Sequence, residues 1–295
     1  MPNPYFNFKR FTICHDRSSM KVGTDGVLLG AWAGKGLRED GSPMAILDVG
    51  TGSGLIALML AQRFEGSHVD AIDIHDDSVA QAACNAQASV FADRIHVCKQ
   101  DFCLMGGDFN GHDKNLKSSD KDFNGHDKNL KSSDKDFKSL NKDFNVHDKN
   151  LKSSDKDIKS LNKDFNRYDL IVSNPPFYIE DTLSGNSARD NARHTSSLPF
   201  EVLIGGASKL LNEDGLFAVI IPYSSSAAFV GSCALHGLYL LRRTDVRSTE
   251  RKPFKRSLLE FGRHAAASDA SVLTLYSAGC QRSDEYAELT QDFYL

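Results

Sequence analysis

The six cysteines, Cys14, Cys84, Cys98, Cys103, Cys233 and Cys280, include no CxxC pair, and none stands at ligand spacing from a histidine. A zinc site is therefore disfavoured, and a chain of 295 residues does not need disulfide staples. No run of about 18 apolar residues occurs, and Met1 to Arg10 carry no apolar segment of the kind that directs secretion. A reducing, cytoplasmic setting without membrane or metal is the expectation. Positive charge is missing at the level of the whole chain: the formal net charge is −4. Any polyanionic partner must then be held by a local basic patch. What is present is ordinary, 40% hydrophobic and 25% charged side chains, enough for a sizeable core in one large domain or two small ones.

One segment stands apart. From Asp108 to Lys163 a seven-residue unit recurs eight times, beginning Asp108-Phe109-Asn110-Gly111-His112-Asp113-Lys114. Most units carry a single large apolar residue, such as Phe109, Leu116 or Phe123, so the two apolar positions of a coiled-coil heptad are not sustained. One such side chain per unit does not offset the entropy of ordering the segment, and disorder is expected for 108–163. His112, His126 and His147 recur only because the unit recurs.

Outside the repeats, apolar strands alternate with amphipathic helices. Strands are predicted at 45–49, 69–74, 95–99, 168–172 and 216–221, helices at 55–64, 76–88, 200–211 and 224–235, and β-rich sequence from Leu238 to Phe261. This pattern implies an α/β fold with a doubly wound, mostly parallel sheet that binds ligands at the carboxyl ends of its strands.

Two motifs fall at such ends. Asp48-Val49-Gly50-Thr51-Gly52-Ser53-Gly54 joins the first strand to the first of these helices; its glycines permit φ > 0 and a close ligand approach. Asp73 ends the second strand, where such folds hold ribose hydroxyls, and Asp101 follows the third. A carboxylate at Asp48 would repel a pyrophosphate and suit a cationic amino-acid moiety, which favours S-adenosylmethionine over NAD. The fourth strand runs into Asn174-Pro175-Pro176-Phe177. An aromatic amine is a poor nucleophile because its lone pair is delocalised; acceptors at Asn174 Oδ1 and the Pro175 carbonyl would favour a pyramidal nitrogen. The prolines pre-aim those acceptors, and Phe177 can stack on an extruded base.

Arg242, Arg243, Arg247, Arg251, Lys252, Lys255 and Arg256 supply the local positive charge, with Asp245 and Glu250 the acids among them. Phosphates could dock there, and Arg189, Arg193 and His194 could hold a nucleotide near the tetrapeptide. The repeats carry 13 lysines against 11 aspartates, a balance poorly suited to specific RNA contact.

The run Phe11-Thr12-Ile13, His15-Asp16 and Met20 through Trp32, together with Arg193-His194, Lys252-Pro253-Phe254-Lys255-Arg256, Leu258-Leu259-Glu260-Phe261 and Leu289 to Leu295, is similar to the bacterial tRNA adenine-N(6) methyltransferases that modify the adenine beside the anticodon of a valine tRNA. That resemblance covers nearly all of the chain outside the repeats. It implies a seven-stranded class I methyltransferase fold in 41–107 and 164–295, a capping segment at 1–40, and tRNA as partner; the oligomeric state is not read from the sequence, a monomer being favoured. It also implies that Asp48, Gly50, Gly52, Gly54, Asp73 and Asp101 face S-adenosylmethionine, that Lys21, Thr24 and Asp25 border it, and that Asn174 to Phe177 face the base. Three alternatives stay open: methylation of a protein glutamine amide, methylation of a guanine amino group in rRNA, and an inactive RNA-binding protein of the same fold. Phe177 and the basic cluster lean away from the first, and the N-terminal signature separates adenine from guanine.

Overall fold

The computed structural model describes residues 3–17, 21–38, 40–105, 167–176, 198–277, 279 and 281–295. The disorder expected of 108–163 falls outside these residues. An N-terminal hairpin comes first, β1 (Tyr5–Asn7) paired antiparallel with β2 (Thr12–Cys14), and then α1 (Thr24–Trp32). The alternating section is β3 (Ala45–Val49), α2 (Leu55–Arg63), β4 (His68–Asp73), α3 (Asp76–Gln87), β5 (Ile95–Lys99) and the short α4 (Phe102–Met105). After the repeats come β6 (Tyr168–Ser173), α5 (Phe200–Leu210), β7 (Leu211–Pro222), α6 (Ser226–Leu235), β8 (Tyr239–Arg247), β9 (Arg256–Gly262), β10 (Asp269–Thr274) and α7 (Asp284–Thr290).

The main sheet has the order β10-β8-β9-β7-β6-β3-β4-β5. β9 is antiparallel to both of its neighbours, and every other pairing is parallel. The sheet is thus mostly parallel as expected, but among the described residues it has eight strands rather than seven. The added strand, β10, was not legible because only Leu273 of its residues is buried. An edge strand that buries one side chain leaves no apolar run to read.

Strand residues alternate between two cores. Ile46, Val69, Ala71, Leu170, Val172, Ala218 and Ile220 belong to one cluster with residues of α1 and α2. Leu47, Val49, Ile72, Ile171, Val219 and Ile221 belong to another with Leu203, Ile204 and Ala207 of α5 and Phe229 of α6. Burial on both faces is why these strands read as continuous apolar runs. The chain runs outward from β3 to β4 and β5, then returns to build β6 and β7 on the other side of β3. The sheet therefore reverses its strand order between β3 and β6, and their carboxyl ends flank the crevice that such a reversal opens.

Candidate active site

The glycine loop hangs from the ends of β3 and β4. The Gly50 and Thr51 amides both donate to the Ile72 carbonyl at 2.9 Å, and the Gly52 amide donates to Asp73 Oδ2 at 3.0 Å. Gly50, Gly52 and Gly54 have φ of 73°, 57° and 81°, a left-handed region costly for residues with a Cβ. At Gly50 a Cβ would meet nothing within 4 Å, so the backbone itself requires glycine there; at Gly54 it would lie 3.2 Å from the Ala82 Cβ. The loop can press against α3 only without that atom.

Asp48 is wholly buried. Its Oδ2 accepts from Thr51 Oγ1 at 2.6 Å, and its Oδ1 has no partner among the described residues. Burial pushes its carboxyl up to about 7, against a smaller opposing effect of the Thr51 hydroxyl. Both oxygens of Asp73 hold backbone, Oδ2 the Gly52 amide and Oδ1 the His75 amide at 3.0 Å. Asp73 thus pins the loop and opens α3, with lone pairs left over for hydroxyl donors. Asp101 is exposed and accepts from the Cys103 amide at 2.9 Å, capping α4. Acceptors around a glycine loop fit hydroxyl and ammonium donors and oppose a pyrophosphate, so the residues present fit S-adenosylmethionine.

Across the crevice, Ser173 Oγ donates to the Val49 carbonyl at 2.9 Å, tying the end of β6 to the start of the glycine loop. The next residue is Asn174. Its Oδ1 is buried and has no hydrogen-bond partner among the described residues. Pro175 is buried behind it and Pro176 is exposed. An unpaired buried acceptor costs about 1–3 kcal/mol, a cost that binding a donor would remove. Phe177, Arg189, Arg193 and His194 lie outside the described residues.

The N-terminal segment meets this site through two side chains the sequence did not single out. Asn85 accepts from the Cys14 amide at 2.9 Å and donates to the Cys14 and Ser53 carbonyls, both at 2.8 Å. One helical turn earlier, Gln81 accepts from the Arg17 amide at 2.9 Å. Both are buried on α3. Their signal was faint: two amides four residues apart, on a face that also carries the buried Ser78 and Ala82. Further on, Lys21 is exposed, Thr24 opens α1, and Asp25 accepts from Arg256 Nε at 2.7 Å.

The basic run divides. Arg242 stacks over Trp32 at 3.6 Å and pairs with Glu260 at 3.0 Å, while Arg243 pairs with Asp245 at 2.9 Å. These two support the sheet. Arg256 likewise fastens β9 to α1 through Asp25. Arg247 is half-buried, whereas Arg251, Lys252 and Lys255 are exposed in the β8–β9 turn. β8 and β9 are antiparallel and β9 is antiparallel to β7, so this turn lies at the same sheet edge as Asn174. Among the described residues no cluster of three or more His, Cys, Asp or Glu could hold a metal ion, and no helix is long and apolar enough to cross a membrane.

Fold and site together define a class I methyltransferase, and a methyltransferase-domain family model matches residues 46–112. A solved structure from Agrobacterium tumefaciens, described as a predicted O-methyltransferase, shares the fold with a TM-score of 0.57 at 16% identity, over 91% of this chain and 96% of that one. The chain is 35% identical over 295 residues to the tRNA1(Val) (adenine(37)-N6)-methyltransferase of Phocaeicola vulgatus, covering 100% of this chain and 99% of the relative. It is 34% identical over 297 residues to the enzyme of the same description from Klebsiella pneumoniae, covering 100% and 96%. The chain belongs to this family, the tRNA1(Val) (adenine(37)-N6)-methyltransferases.

Proposed function

We propose that the protein transfers a methyl group from S-adenosylmethionine to the exocyclic N6 of an adenine in tRNA, the adenine beside the anticodon of a valine tRNA, and that it works in the cytoplasm. The observation that carries the reading is the buried Asn174 Oδ1 after the end of β6, which has no hydrogen-bond partner among the described residues, across the sheet reversal from a glycine loop with acidic neighbours. Family membership supports adenine in tRNA over a guanine amino group or a glutamine amide.

When bound, S-adenosylmethionine supplies an electrophilic methyl group. Asn174 Oδ1 and the Pro175 carbonyl accept the amino protons of the base, drawing its nitrogen toward a pyramidal shape with the lone pair free to attack. These acceptors hold the amino group in the bound substrate and hold it more strongly as positive charge develops on the nitrogen, and it is that difference which lowers the barrier. The nitrogen can lose its proton after attack, so no base of matched pKa is required. Phe177 stacks on the flipped adenine. Asp73 takes ribose hydroxyls, the Gly50–Gly54 loop takes the amino-acid end beside Asp48, and Asp101 borders the adenine of the cofactor. Residues 1–40 cap the site, a role supported by the bonds of Asn85 and Gln81 to Cys14 and Arg17.

The test is labelled methyl transfer to unmodified tRNA, DNA and protein fractions, followed by nucleoside analysis. N6-methyladenosine in tRNA is expected; label confined to protein, or methylguanosine as product, would refute the reading. Asn174→Ala should lower kcat about a hundredfold, by analogy with removal of one preorganised hydrogen-bonding group, with cofactor affinity within about twofold.

A further inference from the structure

Beside the candidate catalytic segment the structure holds a pair of aromatic rings that the transfer chemistry does not use. Tyr223 follows the last residue of β7, and its ring lies 5.2 Å from that of Phe254 in the β8–β9 turn, tilted by 37°. Tyr223 is 39% exposed and Phe254 is half-buried. Both rings are held: the Tyr223 amide donates to the Lys255 carbonyl at 3.1 Å, the guanidinium of Arg243 lies 5.5 Å from the Tyr223 ring, and that of Arg247 lies 5.6 Å from the Phe254 ring. The turn itself is closed by the Lys252 amide on the Thr249 carbonyl and the Lys255 amide on the Val246 carbonyl, at 3.0 and 2.8 Å.

The position follows from strand register. Ser173, the last residue of β6, pairs with Val219 of β7, so the tetrapeptide leaves the sheet beside β7, which runs three residues further to Pro222. Pro222 in turn pairs with Arg256 of β9. The rings therefore begin one strand away from the tetrapeptide, at the same edge of the sheet. Around them, Arg251, Lys252 and Lys255 are exposed, with Glu250 the one exposed acid of the turn. Rings already held in place, rimmed by cations, are what unpaired nucleotides bind: bases stack on π faces and phosphates meet the charges.

We infer that Tyr223 and Phe254 form a stacking platform for an unpaired base next to the target adenine, with Arg251, Lys252 and Lys255 on the adjoining phosphates. The inference rests on the reading of RNA as substrate. It makes single-stranded loop nucleotides the recognised element, since bases inside a helix present no free face.

The test is steady-state methylation of an unmodified tRNA transcript by the wild-type protein, Tyr223→Leu, Phe254→Leu and Tyr223→Phe. Each Leu variant should raise KM for tRNA about tenfold, consistent with the loss of one base–aromatic stack, with kcat and cofactor Kd within about twofold. Tyr223→Phe keeps the ring and should keep the wild-type KM. In parallel, 5-iodouridine at either side of the target adenine should photocrosslink the wild-type protein to peptides containing Tyr223 or Phe254. KM within twofold of wild type in both Leu variants overturns the platform and leaves the proposed function standing. If a Leu variant does not fold, the crosslink decides, and attachment elsewhere overturns the platform. A wild-type protein that methylates no tRNA removes the proposed function itself, and the platform with it.

Discussion

Asp48 combines complete burial, an oxygen with no hydrogen-bond partner among the described residues and a carboxyl raised to about 7. Its carboxyl in the unfolded chain titrates near 3.8, so between pH 3.8 and about 7 the folded protein holds a proton there that the unfolded chain has lost. Stability from this group is therefore greatest at low pH and falls as pH rises through that window, by on the order of 4 kcal/mol in total. Asp48→Asn should flatten this part of the stability–pH profile, measured by urea unfolding without cofactor; an unchanged slope would mean the carboxyl is already ionised. A cationic ligand group beside the loop would drive the proton off, so cofactor binding near pH 6.5 should release protons, read by calorimetry in buffers of different ionisation enthalpy. The same residue shows how far sequence reached: position and charge were legible because the loop spacing fixes them, whereas the proton was not, because it depends on burial by side chains distant in sequence. Arg242, Arg243 and Arg256 are the same lesson with opposite outcome. A linear run of cations gives no sign of which guanidinium groups turn inward to Glu260, Asp245 and Asp25.

Among the elements, those read correctly include β3, β4, β6 and β7, which are buried on both faces, the edge strand β5, and the helices between them. Those unread include α1 and α4, and also the β1–β2 hairpin, β10 and α7, which take their stability from partners rather than from their own pattern. β1 is three exposed residues, yet the hairpin is fixed through Asn85. Asn85→Ala leaves the Cys14 amide and the Cys14 and Ser53 carbonyls without that partner. The expected result is a loss of about 1–3 kcal/mol, faster amide exchange at Cys14 and weaker cofactor affinity, since Ser53 belongs to the glycine loop; protected exchange at Cys14 would show that the segment is held elsewhere. Between α1 and α2 the critical atom is one that is absent. A Cβ on Gly30 would lie 2.7 Å from Met59 Sδ and 2.9 Å from Met59 Cβ, and the second contact is close to backbone and cannot swing away. Gly30→Ala should therefore push the helices apart at a cost of about 1–3 kcal/mol, seen as a lowered urea midpoint.

At the scale of the whole molecule, the sheet reversal sets the glycine loop and the Asn174 segment on either side of one crevice, and the β8–β9 turn lies at the same end of the sheet beyond β7. The long 108–163 repeat falls between β5 and β6, two strands that are not neighbours in the sheet. Met1–Gly107 and Asn166–Leu295 make up the compact unit that contains every strand of that sheet. The repeats' lysines and aspartates nearly cancel, so they supply little net attraction for RNA. Lengthening a loop costs only slowly increasing closure entropy, and shortening this one back should be equally mild. Deleting 108–163 is therefore expected to leave the melting temperature within a few degrees and tRNA methylation within about twofold. The salt dependence of tRNA binding should also be unchanged if, as proposed, it belongs to Arg247, Arg251, Lys252 and Lys255. If each of the four neutralises one phosphate, the slope of log affinity against log salt is about −3, and Lys252→Ala should reduce it by about 0.7. A deletion that folds normally but loses that slope would transfer RNA binding from the β8–β9 turn to the repeats.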